Sequence, residues 1–344
     1  MDQHLVVAIL VVALALIFNL TNGFHDSSNQ VATVITSRAM APEAALTLAA
    51  VADFCGAYFL GTHVAETIGR GIVNPELMRS DALGIFVIFS ALLAAISWNL
   101  LTWHFGFPSS SSHALIGGML GAFIAGWGPA PIQWGTVTGI IVVMVLSPLV
   151  GFAITYLFTK LTLFSSQFFG PGANAAFKKM QWISLIGQSL AHGANDAQKT
   201  MGVIVFGLLV LNFHSPRNSG PLIPHWVVLS CSLSIAFGVM LGGWKLIRRL
   251  GWGLYRIRPI HAFASQAASG SIMYVTSILG FPISTTQVVS SSIMGAGAAF
   301  RPRAVRWAVA GDMAVAWLIT IPVSALLAAG FFYAGQFAFG PGEK

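Results

Sequence analysis

The sequence predicts an all-α polytopic membrane protein, with about 10–12 transmembrane or re-entrant helices in two inverted-topology repeats. Three observations predict it. Only 27 of the 344 residues are charged (17 Lys+Arg, 10 Asp+Glu), or 8%, against about 25% in an average soluble domain. Residues 82–159 and 259–300 contain no Asp, Glu, Lys or Arg, and both runs far exceed the ~20 apolar residues that cross a bilayer. The two halves also carry the same landmarks in the same order. The apolar segments are long and lack the period-2 alternation of a barrel, so the spans are helices.

The first span, 5–36, reads as interrupted by the polar run GFHDSSN at 23–29. No positive charge precedes its apolar run in MDQHL, as a cleavable signal peptide requires, so it reads as a permanent helix. Spans follow at 43–68, 82–103, 112–127 and 135–159. Residues 160–181 hold Lys160, Gly170, Pro171, Gly172, Lys178 and Lys179 and form the longest polar stretch. The second half offers 182–211, read as interrupted by GANDAQK at 193–199, then 226–247, 261–279, 287–300 and 307–335. The pairs 82–103/112–127 and 261–279/287–300 either span fully or form re-entrant hairpins. The expected organisation is a first repeat at 1–160, a cytoplasmic linker at 161–181 and a second repeat at 182–340.

Alternating sides from span to span sorts the positive charges. One side collects Arg38, Lys160, Lys178, Lys179, Lys245, Arg248, Arg249, Arg256, Arg258, Arg301, Arg303 and Arg306; the other collects Arg70, Arg79, Arg217 and Lys344. The positive-inside bias makes the first side cytoplasmic and both termini external. The net charge of +7 then reflects orientation, and no nucleic-acid partner is expected. Cys55 and Cys231 lie inside apolar segments and read as packing residues.

The duplication rests on spacing. FGFPSSSSHALIGG at 105–118 answers LGFPISTTQVVSSS at 279–292; Asp26 to Pro108 is 82 residues and Asp196 to Pro282 is 86; Pro148 and Pro322 each follow those prolines by 40. The first half runs in the opposite sense across the membrane to the second. Inverted repeats with polar sites at matching midplane positions typify secondary transporters.

Asp26 and Asp196 lie in otherwise apolar segments, where a carboxylate costs ~3 kcal/mol or more unless a cation, a proton or a partner accompanies it. Asn22 and Asn29 flank the first, Asn195 and Gln198 the second. Glycine would let the helix unwind, and freed carbonyls with the amide oxygens would complete a hard-cation site. The competing reading is a pair of protonated or amide-capped aspartates that hold helices together. Ser110, Ser111 and Ser112 follow Pro108, and Ser284, Thr285 and Thr286 follow Pro282. Proline and N-cap hydroxyls suit a helix start, and two such N-termini can enclose a tetrahedral oxyanion without an arginine; Ser/Thr runs that bridge helices are the plainer alternative. Lys199, three residues after Asp196, either pairs with it or contacts the anion. Asp53 and Asp312 line the pathway or pair with hydroxyls. His25, His113 and His192 lie near these motifs without zinc-site spacing, and no P-loop or GxSxG motif is present, so neither ATP-driven transport nor hydrolysis is expected.

NGFHDSSNQVATVI, AHGANDAQKTMGVI, GFPSSSSHALIGG and GFPISTTQVVSSSIMGAG resemble the duplicated signatures of the inorganic phosphate transporter (PiT) family, bacterial branch, over essentially the whole chain. The resemblance implies uptake of inorganic phosphate coupled to Na⁺ or H⁺. Its GAND positions map to Asp26, Asn29, Asn195 and Asp196. Its hydroxyl positions map to the two triplets above. His25 stands where the eukaryotic pattern has Asn, and Gln287 where the second motif usually has His.

The expectation is therefore a symporter of the cell (inner) membrane, not an enzyme, working by alternating access around a midplane site. Phosphate would meet Ser110–Ser112, Ser284–Thr286, Asn29, Asn195 and Lys199. The coupling cation would meet Asp26, Asp196, Asn22 and Gln198. No cofactor is expected other than a Na⁺ at Asp26/Asp196, and a homodimer is left open. Sulfate or a metal–phosphate complex as substrate, or an anion channel, are the alternatives.

Overall fold

The computed structural model describes residues 3–73, 82–168, 170, 172–211, 213 and 222–339. Among them the protein is all-α. Its twelve α-helices are α1 (Gln3–Thr36), α2 (Pro42–Phe59), α3 (His63–Gly71), α4 (Ala82–Phe105), α5 (Ser111–Trp127), α6 (Trp134–Ser166), α7 (Ala173–Val210), α8 (His225–Leu241), α9 (Trp244–Gly253), α10 (Pro259–Ile278), α11 (Thr285–Phe300) and α12 (Trp307–Phe339). Four stretches, Leu5–Thr36, Leu83–Phe105, Trp134–Ser166 and Trp307–Ala338, are each long and apolar enough to cross a membrane. α6 and α12 carry Pro148 and Pro322 in their interiors, which transmembrane helices tolerate. Arg79, Arg217 and Lys344 lie outside the described residues, as does the side chain of Arg70. α6 ends at Ser166 and α7 begins at Ala173, so helix occupies most of the stretch read as a linker at 161–181.

The interruptions fall elsewhere than the sequence predicts. α1 and α7 run unbroken through Asp26 and Asp196. The breaks are at Leu60–Thr62, where α2 turns 70° into α3, and at Gly242–Gly243, where α8 turns 66° into α9. Gly61 (φ +94°) and Gly242 (φ +72°) supply the left-handed residue at each bend. The motif glycines serve packing instead of unwinding. A Cβ on Gly23 would sit 2.3 Å from the carbonyl oxygen of Ile235 on α8, and one on Gly193 would sit 2.1 Å from that of Asp53 on α2. Only a residue without a side chain allows such backbone contact, so the helices stay intact and lie close.

These contacts are reciprocal. α2 of the first half packs on α7 of the second, and α8 of the second packs on α1 of the first. Gly56 approaches the Leu190 carbonyl, and Gly238 approaches that of Leu20. Likewise α5 lies between α4 and α12, and α11 between α10 and α6. Gly121 on α5 touches the backbone of Ala325, and Gly295 on α11 that of Phe152. α1 and α7 are thus held at the centre, with the starts of α5 and α11 brought to them.

Candidate functional site

Both hairpins are built alike. α4 and α10 end with a glycine in the left-handed region, Gly106 (φ +69°) and Gly280 (φ +73°). Gly106 N–H donates to the Trp103 carbonyl (3.0 Å) and Phe107 N–H to that of Thr102 (2.8 Å). Gly280 and Phe281 repeat the pattern onto Ser277 (3.1 Å) and Thr276 (2.9 Å), so a Schellman motif closes each helix. Four residues of extended chain follow, and α5 and α11 begin. Ser110 caps α5 by accepting from His113 N–H (3.1 Å), and Ser284 caps α11 by accepting from Gln287 N–H (3.3 Å). The hydroxyls one and two positions further on are then free to face α1 and α7.

They meet the two aspartates there. Asp26 Oδ2 accepts from Ser111 (3.2 Å) and Thr285 (3.1 Å), and its Oδ1 lies 3.1 Å from Thr286 Oγ1 and 2.8 Å from His25 Nδ1. Four partners occupy the roughly four lone-pair sites of that carboxylate. Asp196 is less enclosed: Lys199 Nζ lies 2.5 Å from Oδ1, and Thr285 Oγ1 lies 3.1 Å from Oδ2. Thr285 therefore stands between both carboxylates with one proton to give. Asp26 and Asp196 have no exposed surface.

Lys199 ties the halves together. Besides Asp196 it donates to Ser112 Oγ (2.6 Å) and to the Ile283 carbonyl (2.8 Å), so all three ammonium donors are used. Asn29, which occupies the matching place in the first motif, donates to Thr286 Oγ1 (3.0 Å). Each motif thus reaches the opposite hairpin at its third hydroxyl.

Two residues outside the sequence-derived set join the site. His192 lies with Nε2 3.3 Å from Asp196 and 3.9 Å from Asp26, and with Nδ1 2.8 Å from Asp53. Gln30 Nε2 lies 2.9 Å from the same Nδ1. The signal was present, since His192 precedes Asp196 by one helical turn and so shares its face. Asp26, His192 and Asp196 each offer a ligand atom within 4.8 Å of the others, a set able to hold a cation. Buried acceptors without a hydrogen bond lie on residues of the same helix turns or in the same network: Asn22 Oδ1, Asn29 Oδ1, Gln30 Oε1 and Asp53 Oδ2. An unpaired buried acceptor costs about 1–3 kcal/mol, and such groups concentrate where a ligand completes them.

Other expected residues stand apart. Gln198 spans the α2–α3 break, donating to the Gly61 carbonyl (2.7 Å) and accepting from Val64 N–H (2.8 Å). Asn195 donates to Ser277 Oγ (3.1 Å) and the Phe281 carbonyl (3.2 Å), at the end of α10. Asp312 lies outside the Asp26/Asp196 cluster: its side chain is 60% exposed and pairs with Arg249 at 3.5 Å. It sits in the second turn of α12. Cys55 and Cys231 are free.

Comparison with known proteins places this site in context. The model of the Phosphate transporter family matches twice, at residues 22–171 and 164–328. A "probable low-affinity inorganic phosphate transporter" of Bacillus subtilis is 41% identical, over 96% of this chain and 97% of its own. The protein of that name from Rhizobium meliloti is 38% identical over 98% and 99%. That of Mycobacterium tuberculosis H37Rv is 42% identical over 96% of this chain and 78% of its own. A solved structure titled "The sodium-dependent phosphate transporter" superposes with a TM-score of 0.85 at 24% identity, covering 96% of this chain and 99% of that one.

Proposed function

Because the chain belongs to the phosphate transporter family, we propose that it imports inorganic phosphate as a symporter, coupled to Na⁺ or H⁺, by alternating access. The observation that carries this reading is the convergence of two hydroxyl-rich helix starts, Ser111–Ser112 and Thr285–Thr286, on Asp26, Asp196 and Lys199. Helix N-termini and hydroxyls bind an oxyanion without a fixed cation. Three buried aspartates, Asp26, Asp53 and Asp196, stand against one lysine there. Adding phosphate to that excess of negative charge requires a cation or proton to load with it. Asp26 and Asp196, with Asn22 and the Asn29 oxygen, form the cation side. Lys199 reaches the anion by exchanging one of its three bonds. Ser110 and Ser284 serve as caps behind the contacting hydroxyls.

The reciprocal packing of α2 on α7 and α8 on α1 supports two inverted repeats that rock about this site. The excess of positive charge on one side supports external termini in the cell membrane. Asp196 has lone-pair capacity left over, so it accepts the proton that phosphate carries near neutral pH and disfavours sulfate, which has none. If Asp196→Asn bound phosphate and sulfate in the wild-type ratio, that role would be lost. A second reading follows from the imidazole among the candidate cation ligands: nitrogen suits a transition metal better than Na⁺, which favours a metal–phosphate complex as cargo.

The test is radiolabelled phosphate uptake into proteoliposomes under imposed Na⁺ or H⁺ gradients, with and without Mg²⁺ or Mn²⁺, and with sulfate as competitor. Accumulation against a phosphate gradient, driven by one cation, is the expected result. Downhill flux alone would leave a channel.

A further inference from the structure

A cavity of about 890 Å³ opens where α1 ends and α7 and α10 begin. Arg38, Arg256, Arg258 and Arg306 line it with Ser37 and Asn174, and no carboxylate is among its described lining residues. The one guanidinium–carboxylate pair among the described residues is Arg249–Asp312, outside this cavity. Two of the four arginines are positioned by the fold. Arg306 donates to the Trp252 and Gly253 carbonyls (3.3 and 3.4 Å), and the Arg258 guanidinium lies 4.6 Å over the Phe300 ring. The side chains of Arg38 and Arg256 make no such contact among the described residues.

Arg38 is also the one non-glycine residue with positive φ among the described residues (+56°). Its N–H donates to Ile35 (3.1 Å) and that of Ala39 to Val34 (3.0 Å), a Schellman turn whose left-handed position favours glycine. An arginine kept at a strained position, turned to a cavity that three more arginines share, points to its charge as the reason. The first turns of α7 and α10, which begin at Ala173 and Pro259 with no side-chain cap, add their positive dipole ends to the same space. Four like charges repel in the absence of an anion, and arginine forks fit a tetrahedral oxyanion in pairs.

Buried polar side chains lie between this cavity and the central site. Ser37 donates to Gln181 (2.6 Å), and Gln181 to the Pro259 carbonyl (3.2 Å). Ser184 donates to Gln266 (2.7 Å), Gln266 to the Gln30 carbonyl (3.4 Å), and Gln188 to the Asn29 carbonyl (3.1 Å).

We propose that the cavity is a second anion site that takes a phosphate group, separate from the Asp26/Asp196 site. Two sources supply that chemistry: inorganic phosphate at one mouth of the transport path, or the headgroup of an anionic phospholipid.

The experiment uses the purified full chain, in an Asp26→Asn background that weakens the central site, with and without Arg38→Gln/Arg256→Gln/Arg258→Gln. One arm titrates radiolabelled inorganic phosphate in detergent. The other measures retention of phosphatidylglycerol against phosphatidylcholine in nanodiscs. The triple substitution is expected to weaken one probe about tenfold or more: loss of phosphate binding assigns the transport mouth, and loss of phosphatidylglycerol assigns the lipid. Unchanged affinity for both overturns the site. Should the triple variant not fold, Arg256→Gln alone, at an exposed residue, is expected to cost about threefold on the same probe, and Arg256→Lys about half of that on a logarithmic scale; no effect from Arg256→Gln overturns the site equally. Uptake is not a readout here, so the result stands apart from the symport reading.

Discussion

The motif at 23–29 and the motif at 193–199 perform the same geometry with different charges. Both glycines press on a backbone carbonyl of the opposite half. Both aspartates face the hairpin hydroxyls, and Asn29 and Lys199 each cross to the other hairpin. The polar groups around them differ. In the second half Asp196 has Lys199 and His192 beside it, with Asp53 behind the histidine. In the first half the position of His192 is Asn22 and that of Lys199 is Asn29. The carbonyl that Gly193 meets belongs to Asp53, whereas the one that Gly23 meets belongs to Ile235. Asp26 is held by hydroxyls and by His25, with no fixed cation beside it. The difference teaches where a mobile cation belongs: the second half carries its own compensation, and the first half borrows it.

The largest expected effect tests what the halves share. Gly23→Ala and Gly193→Ala would each drive a Cβ to within 2.3 and 2.1 Å of a carbonyl oxygen on a rigid helix. An ordinary core insertion costs about 1–3 kcal/mol, and a Cβ inside the contact distance of backbone on two helices exceeds that range because the helices themselves must separate. Both variants should lose most of their monodisperse, membrane-inserted protein on size exclusion. Wild-type yield from either would break the claim that the contact needs glycine.

The aspartates come next and should separate the halves. Both Asp26→Asn and Asp196→Asn are expected to lower phosphate uptake by about 100-fold or more, as loss of a group made for the bound charge implies. Their stabilities should diverge. Asp196→Asn leaves a buried lysine without its anion, worth about 3–5 kcal/mol; Asp26→Asn leaves hydroxyls that rotate to the amide. A thermal melt of the purified proteins reads this, and equal losses in both would erase the distinction.

How much of this was written in the sequence depends on what each residue does. The two helix starts were legible because proline followed by hydroxyls is local chemistry, but the register was not: Ser110 and Ser284, read as phosphate contacts, are the caps, and the helices begin at Ser111 and Thr285, not at 112 and 287. Asp26, Asp196 and Lys199 were legible because buried charge in an apolar segment needs a reason. The helix breaks were not. Gly23 and Gly193 look like hinges in one dimension, and only the neighbouring helix tells that each is a contact surface. Gly61 and Gly242, which do bend the chain, fall inside the stretches 43–68 and 226–247, each of which reads as one continuous span. Gln198 misled for the same cause: its amide lies one residue from Lys199 but on another helix face, toward the α2–α3 break. Asp53 and Gln30 could not be joined to His192 from spacing, because the contacts cross between helices, at separations of 139 and 162 residues.

A middle-sized effect would turn the second half into the first. His192→Asn places there the residue found at position 22, and leaves Asp53 buried without its imidazole. About 1–3 kcal/mol of stability should go with it, together with a fall in uptake of about tenfold. Adding Asp53→Ile recreates the Asn22/Ile235 pair of the first half and should restore most of the stability but not the uptake. A double-mutant cycle measures this as a coupling of about 1–3 kcal/mol. Additive losses would mean that the two side chains stabilise the fold independently.

The smallest effect concerns one place where the hairpins differ in the residue that follows the hydroxyl run. His113 follows the first hydroxyl run, and Gln287 follows the second; their side-chain nitrogens lie 3.4 Å apart. His113 turns its Nδ1 to Ser110 Oγ at 2.7 Å, so it supports a cap, and neither side chain touches Asp26 or Asp196. A role that required two histidines has no place in this chain, because an amide occupies the second position. Gln287→His makes the hairpins alike at this position while keeping a polar group in contact with His113. It should therefore change uptake by less than about twofold and stability by less than about 1 kcal/mol, the range of substitutions that break no named interaction. A tenfold gain in uptake would instead make this pair part of the transport cycle, and would move the meaningful asymmetry of the molecule from its aspartates to its hairpins.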